Sequence, residues 1–443
     1  MSDFPQEWSS EKLGDIADIR ISNVDKKMIS SEVPVRLCNY MDVYSRDYIN
    51  ASDEFMSASA TTSEVKRFAL REGDVVITKD SESPDDIGIP ALIKTTSDDL
   101  VCGYHLAILR PSARLDGSWL AKQLGHERAK RYFAKVATGS TRYGLSNSSI
   151  KNFEVWLPSV DEQRSAIQVL RTLDDAIQKT EQLIAKLKQI KQGLLHDLLT
   201  RGIDENGQLR DPIAHPEQFK DSVLGRIPLE WSVLSLASVV ADIPHAIVDG
   251  PFGSNLKTEH YRERGVPVIQ SGFVTSGEFQ ADSYVYVDQS LVEAQKRSIA
   301  HPGDIIMAKI GTQCGACAVM PDGHSEGILA GNSLKISLDS SVCRTQYALK
   351  VFHYYHDTGV LDLIKTETAQ PAISLRNLKS LLLPIPRVDE QNRIITVLNA
   401  QDRQKLEEIK SLSKLLEVRK CLMRDLLTGK VRVPVRKELK NVW

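Results

Sequence analysis

The sequence predicts an α+β chain made by internal duplication, with two copies of one strand-bearing globular domain and a long helix after each. Three observations carry this prediction. Asp161-Glu-Gln163 recurs as Asp389-Glu-Gln391 and Asp197-Leu-Leu-Thr200 as Asp425-Leu-Leu-Thr428, both displaced by 228 positions, from 161 to 389 and from 197 to 425. Between these anchors Ile167, Leu170, Asp174 and Leu187 match Ile395, Leu398, Asp402 and Leu415 without a gap. Upstream the match continues with small changes of offset, as expected where loops differ in length and the elements between them persist.

Upstream, Pro5-Gln-Glu-Trp8 pairs with Pro228-Leu-Glu-Trp231. Gly73-Asp-Val-Val-Ile77 pairs with Gly303-Asp-Ile-Ile-Met307, and each reads as a turn feeding a buried strand that Lys79 or Lys309 follows. Thr138 and Leu145-Ser146 pair with Thr366 and Ile373-Ser374, ahead of the apolar strands 153–157 and 381–383. The expected boundaries are a domain over 1–155, a helix over 156–201, a linker over 202–227, a second domain over 228–383, a second helix over 384–429 and a basic tail over 430–443.

Each helix follows a proline-bearing strand end, Pro158 or Pro386, and an aspartate then stands where it can cap the N-terminus. Leu170, Leu173, Ile177, Ile184, Leu187, Ile190 and Leu194 step by three and four along the first helix, as do Leu398, Ile409, Leu412, Leu416 and Leu426 along the second. Each stripe needs cover over about 60 Å, given about 1.5 Å per residue. Two helices each packed on its own domain would provide it. An antiparallel coiled coil with pseudo-two-fold symmetry covers both stripes at once and is the expected arrangement.

Composition narrows the classes of function. At 443 residues the chain exceeds one ordinary core. No apolar run approaches a bilayer span, and the N-terminus lacks a signal-peptide pattern, so a cytoplasmic location with reduced thiols is expected. Six cysteines include one close pair, Cys314 and Cys317, without the further ligands of a zinc site, so two small buried thiols are expected rather than a metal. His353 and His356 read as packed or surface histidines. A net charge of −2 means that any nucleic-acid site is a local patch.

Asp249-Gly-Pro-Phe-Gly-Ser254 with Lys257, Tyr261 and Gly265-Val-Pro-Val-Ile269 is followed by the Gly-Asp strand start, the Asp-Glu-Gln helix start and the Asp-Leu-Leu-Thr helix end. In this order, with the later pieces present twice, the chain resembles the specificity subunits of type I restriction–modification enzymes over nearly its whole length. Its first half departs from the pattern, with Ser22-Asn-Val-Asp-Lys-Lys27 where a Gly-Pro-Phe-Gly loop would stand. The resemblance implies two target-recognition domains of mixed α/β fold, each reading one half of a bipartite, asymmetric double-stranded DNA target, with the helices as spacer. It also implies two methyltransferase subunits that bind S-adenosylmethionine, and translocase–nuclease subunits that use ATP and Mg; this chain itself would hold no cofactor and do no chemistry. In agreement, the sequence has no Asn-Pro-Pro-aromatic or Asp-Pro-Pro-Tyr motif and no Gly-x-x-x-x-Gly-Lys-Ser/Thr loop.

DNA contacts need Lys, Arg, hydroxyl and amide groups on loops. In the first domain the candidates are Lys79, the basic group Arg128, Arg131 and Lys135, and Ser140, Thr141, Arg142 and Tyr143 of the loop from Gly139 to Gly144. The second domain offers Ser254, Asn255 and Lys257 after a glycine-rich bend, then Lys309, Thr312, Gln313, Thr368 and Gln370. Asn39, Tyr40, Tyr104, His105, Ser271, Asn332 and Ser333 also follow apolar strands and form a weaker set. Two other readings stand beside this one. A coiled-coil scaffold could join two protein-binding domains, which near-neutral charge suits, or an enzyme could use Cys314 or His105, for which the sequence shows no orienting partner.

Overall fold

The computed structural model describes residues 4–251, 253–366 and 369–434, with the backbone alone at residue 254. The chain divides into two compact units, residues 1–182 with 410–443 and residues 183–409. The expected tail therefore lies mostly outside the described residues, which end at residue 434.

The central sheet of the first unit runs in the order Ala17–Ile21, Leu106–Pro111, Val75–Thr78, Pro90–Ile93, Tyr48–Ile49. Val-Val-Ile-Thr of the middle strand is wholly buried, with one face on each of two cores. A second sheet pairs Val33–Cys38 antiparallel to Met56–Ala60 and parallel to Leu100–Cys102. Ser9–Lys12 pairs with Glu154–Leu157 where the chain leaves for its helix.

The second unit repeats this plan. Ile247–Asp249, Ser333–Ile336, Ile305–Ala308 and Cys317–Val319 follow the same order, Val266–Ile269 again runs parallel to Gly327–Leu329, and Ser232–Ser235 pairs with Leu382–Ile385. Register is kept as well. Leu106 stands opposite Thr78 in the first unit as Ser333 stands opposite Ala308 in the second. Both middle strands start from one turn, in which Gly73 and Gly303 adopt φ of 85° and 87°. Asp74 and Asp304 then accept from the backbone N–H of Arg71 and His301 at 2.9 and 2.8 Å. The positive φ explains the glycine, and the reach back to a backbone donor explains the aspartate.

The long helices are Val160–Thr200 and Val388–Leu427. In each unit the half-helices it contains pair antiparallel. Arg419 Nε meets Asp174 at 2.6 Å in the first unit, and Lys191 meets Asp402 in the second. These are equivalent pairs, since Asp174 and Asp402, and Lys191 and Arg419, are each 228 positions apart. Lys122 and Lys350, also equivalent, add a third charge at 3.2 and 2.8 Å. Burial raises the Asp402 carboxyl, but hydrogen bonds from Lys191 and Lys350 outweigh it and hold the group below its ordinary value.

Each helix start is locked by a buried glutamine. Gln163 donates to the carbonyls of Arg114 and Pro158 and accepts from Asp116 N; Gln391 does the same with Val342, Pro386 and Arg344. This satisfies strand-end and loop groups that the packing would otherwise leave buried and unpaired. Leu195, Leu198 and Leu199 enter the second unit's core, and Leu426 and Leu427 enter the first's.

Two expectations are corrected. The first helix is capped by Ser159, whose Oγ accepts from Glu162 N at 3.3 Å; Asp161 lies inside the first turn, where it still favours the dipole. Between the first helix and the second unit's strands stands a hairpin, Phe219–Ser222 with Gly225–Pro228, in which Phe219 and Ile227 are buried. Ile190, Ile409 and Leu416 stay exposed, because a helix in a two-helix pair buries only the sector that faces its partner. Among the described residues no helix is long and apolar enough to cross a membrane.

Candidate nucleic-acid interface

In the first unit four strand ends release loops that backbone hydrogen bonds tie together. Lys79 N donates to His105 O at 2.8 Å and Leu145 N to Lys79 O at 2.9 Å. Ser22 N donates to Leu106 O, Gly103 N to Cys38 O and Tyr104 N to Val24 O. Asp80–Ser81 pairs with Tyr143–Gly144, which brings the loop from Gly139 to Gly144 onto the same cluster. Gly139 permits this turn, since a Cβ there would lie 2.0 Å from Arg142 O.

Polar and aromatic side chains crowd this place. Asp80 takes Lys79 Nζ at 3.0 Å on one oxygen and His105 Nδ1 at 2.5 Å on the other. Arg142 Nη2 lies 3.0 Å from His105 Nε2. The Tyr104 ring lies 3.8 Å from the imidazole, centroid to centroid, and Lys26 Nζ is 5.7 Å from the Tyr104 ring. Burial raises the Asp80 carboxyl, yet hydrogen bonds from His105 and Lys79 prevail and hold it low, so it is a carboxylate at neutral pH.

The second unit builds the same place with other side chains. Lys309 N donates to Asn332 O at 2.8 Å, and Ile373 N to Lys309 O at 3.0 Å, so Asn332 stands where the first unit has His105. Gly250 stands where the first unit has Ser22, and a Cβ there would lie 2.0 Å from Ala330 O. Lys309 Nζ pairs with Asp249 at 2.5 Å, an acid contributed by the preceding strand instead of the next residue. Thr312 and Gln313 project into solvent from a turn in which Gly311 has φ 102° and donates to Pro371 O.

The structure thus brings Lys79, Arg142 and Tyr143 together with Tyr104 and His105, and it places Ser140 and Thr141 exposed on the same loop. Asn255, Lys257 and Gln370 are exposed on loops of the second unit, with Lys257 3.6 Å from Glu259. Thr368 and the side chain of Ser254 lie outside the described residues. Arg131 and Lys135 are exposed on the helix Glu127–Val136. Arg128 is engaged internally: its guanidinium lies 4.1 Å from the Trp156 ring and 4.8 Å from Phe153, and it donates to Glu154 O at 2.6 Å. Arg128→Ala is therefore expected to destabilise the first unit by about 1–2 kcal/mol in thermal or urea unfolding, with little change in DNA affinity of the folded protein.

Sequence reasoning missed Asp80 and Asp249, because an acid is not an obvious neighbour for DNA. The one signal was Asp80 next to Lys79; Asp249 lies 60 positions from Lys309 and gives none. Among the described residues no cluster of His, Cys, Asp and Glu could hold a metal ion. Burial pushes the Cys314 and Cys317 thiols up, the reverse of what a nucleophilic thiolate needs.

Residues 5–189 match the type I restriction modification DNA specificity domain family. The type I restriction enzyme MjaVIII specificity subunit of Methanocaldococcus jannaschii is 23% identical over 97% of this chain and 94% of its own. The specificity subunit of a type I system from M. genitalium superposes with a TM-score of 0.52 at 14% identity, over 95% of this chain and 96% of that one. The corresponding subunit of Thermoanaerobacter tengcongensis gives 0.51 at 14% identity, over 97% and 98%. Residues 5–189 thus carry the likeness to the family's domain, and the similarity to type I specificity subunits extends over nearly the whole chain.

Proposed function

We propose that each unit reads one block of a bipartite double-stranded DNA target, and that the chain delivers this reading to partners without chemistry of its own. The observation that carries the proposal is the duplicated loop cluster. Its backbone hydrogen bonds are the same in both units, around Lys79 and around Lys309, while the side chains it presents differ. A shared scaffold with unlike contacts is what two readers of unlike sequences need. The partners in this reading are two methyltransferase subunits holding S-adenosylmethionine, with translocase–nuclease subunits using ATP and Mg.

The test uses the full chain with its methyltransferase partner. A duplex bearing both blocks, identified by sequencing methylated DNA from cells with and without the chain, should bind about 10³-fold or more tightly than a scrambled duplex. Equal affinity at moderate salt would overturn the reading. Exchange of residues 1–155 for those of a related chain should change one block and leave the other, and a change in both would overturn independent reading.

A further inference from the structure

We propose that Arg142 reads a guanine in the first unit's block of the target, and that Asp80 and His105 are positioning residues that aim its guanidinium. This rests on the DNA-reading function proposed above and adds the base and the residues that recognise it.

Asp80 is an acceptor only, so the contact of 2.5 Å to His105 Nδ1 places the hydrogen on Nδ1. Arg142 Nη2 lies 3.0 Å from Nε2 and 3.4 Å from Nδ1 of the same ring, and this near-equal pair of distances puts it over the imidazole face. The ring that Asp80 holds is therefore the surface against which the guanidinium rests. Nη2 alone makes this contact, so a forked N–H edge of the guanidinium is left. Two parallel N–H donors at that spacing match guanine O6 and N7 in the major groove.

The aim is fixed by parts that lie outside the pair. His105 has φ 69°, a left-handed conformation uncommon for a residue with a side chain, and its carbonyl is held by Lys79 N. Tyr104 packs against its ring. Lys79 takes the second Asp80 oxygen, which prevents the carboxylate from turning away from the imidazole. Arg142 stands on a loop pinned by the pairing of Tyr143–Gly144 with Asp80–Ser81. A long arginine fixed in advance loses less rotamer freedom on binding, which favours discrimination between bases. The second unit has Asn332 in place of His105, and its aspartate answers Lys309 directly, so this arrangement belongs to one block only.

The experiment measures equilibrium binding of the full chain with its methyltransferase partner to duplexes carrying the identified target. Each guanine of the first block is replaced in turn by 7-deazaguanine, which lacks the N7 acceptor. At one guanine the replacement should weaken wild type about tenfold and leave Arg142→Ala unaffected. Asp80→Asn and His105→Asn should lose discrimination at that guanine and keep discrimination in the second block. Asn tolerates the left-handed backbone, so H105N removes the imidazole without imposing strain. Equal sensitivity of wild type and R142A at every guanine, or a first block without guanine, would overturn the inference. So would a uniform loss of affinity for all sequences in R142A with a salt slope lower by about one, the mark of a phosphate contact. In those cases wild type still separates the two-block duplex from scrambled DNA; if it does not, the DNA-reading function itself has failed and the inference falls with it.

Discussion

Arg210→Met is expected to lower the stability of the second unit by about 3 kcal/mol. Glu390 is buried at 2% exposure and accepts four hydrogen bonds: from Arg210 Nη1 at 2.5 Å and Nη2 at 3.1 Å, from Trp231 Nε1 at 3.1 Å and from Ile203 N at 3.0 Å. Removing the guanidinium leaves a buried carboxylate with two neutral donors, and the uncompensated charge dominates the cost. For a unit of this size the shift in unfolding temperature is roughly 6–12 °C. Glu390→Gln added to R210M should recover much of the loss, since it removes the stranded charge. The equivalent pair in the first unit is Glu162 with Arg432, whose side chain is 46% exposed, so Arg432→Met should cost less. Urea unfolding followed by Trp231 fluorescence checks the first value, and a loss no larger than that of R432M would show that Arg210 is not the anchor.

Much of this was legible in the sequence, because a duplication tests itself. A strand start such as Gly73-Asp74 that returns as Gly303-Asp304 is read twice, and the ungapped match of the helices fixed their equivalence before any contact was known. The positions of Lys79 and Lys309 after their strands followed from the same comparison. What stayed hidden were contacts between residues distant in sequence. The hydrogen bond of Asp80 to His105 spans 25 positions, and Arg128 meets rings at 153 and 156, so no local spacing signals either. A basic residue in sequence reads the same whether it faces solvent or lies over a tryptophan. Helix capping was misplaced by two residues for a related reason, since serine and aspartate both suit an N-cap and only the backbone decides between them.

Lengthening both long helices is expected to lengthen the spacer of the DNA target and abolish recognition at the original spacing. The helices pass from one unit into the other between Gln182 and Leu183 and between Ile409 and Lys410. Asp174 with Arg419 and Lys191 with Asp402 lie on opposite sides of those points. Four residues inserted after Lys179 alone would shift one helix against the other by about 6 Å, and the two ion pairs could not both survive. Four residues inserted after Gln182 and four after Ile409 leave the pairs within each unit intact and turn each apolar stripe by only about 40°. The added rise of about 6 Å corresponds to roughly two base pairs at 3.4 Å each. Sequencing of methylated sites should then find both blocks unchanged and about two base pairs further apart, with modification at the original spacing down by roughly 10³-fold. The single insertion should instead give a destabilised chain with little modification at any spacing. Full activity of the doubly inserted protein at the original spacing would mean that the helices do not set the distance between the blocks.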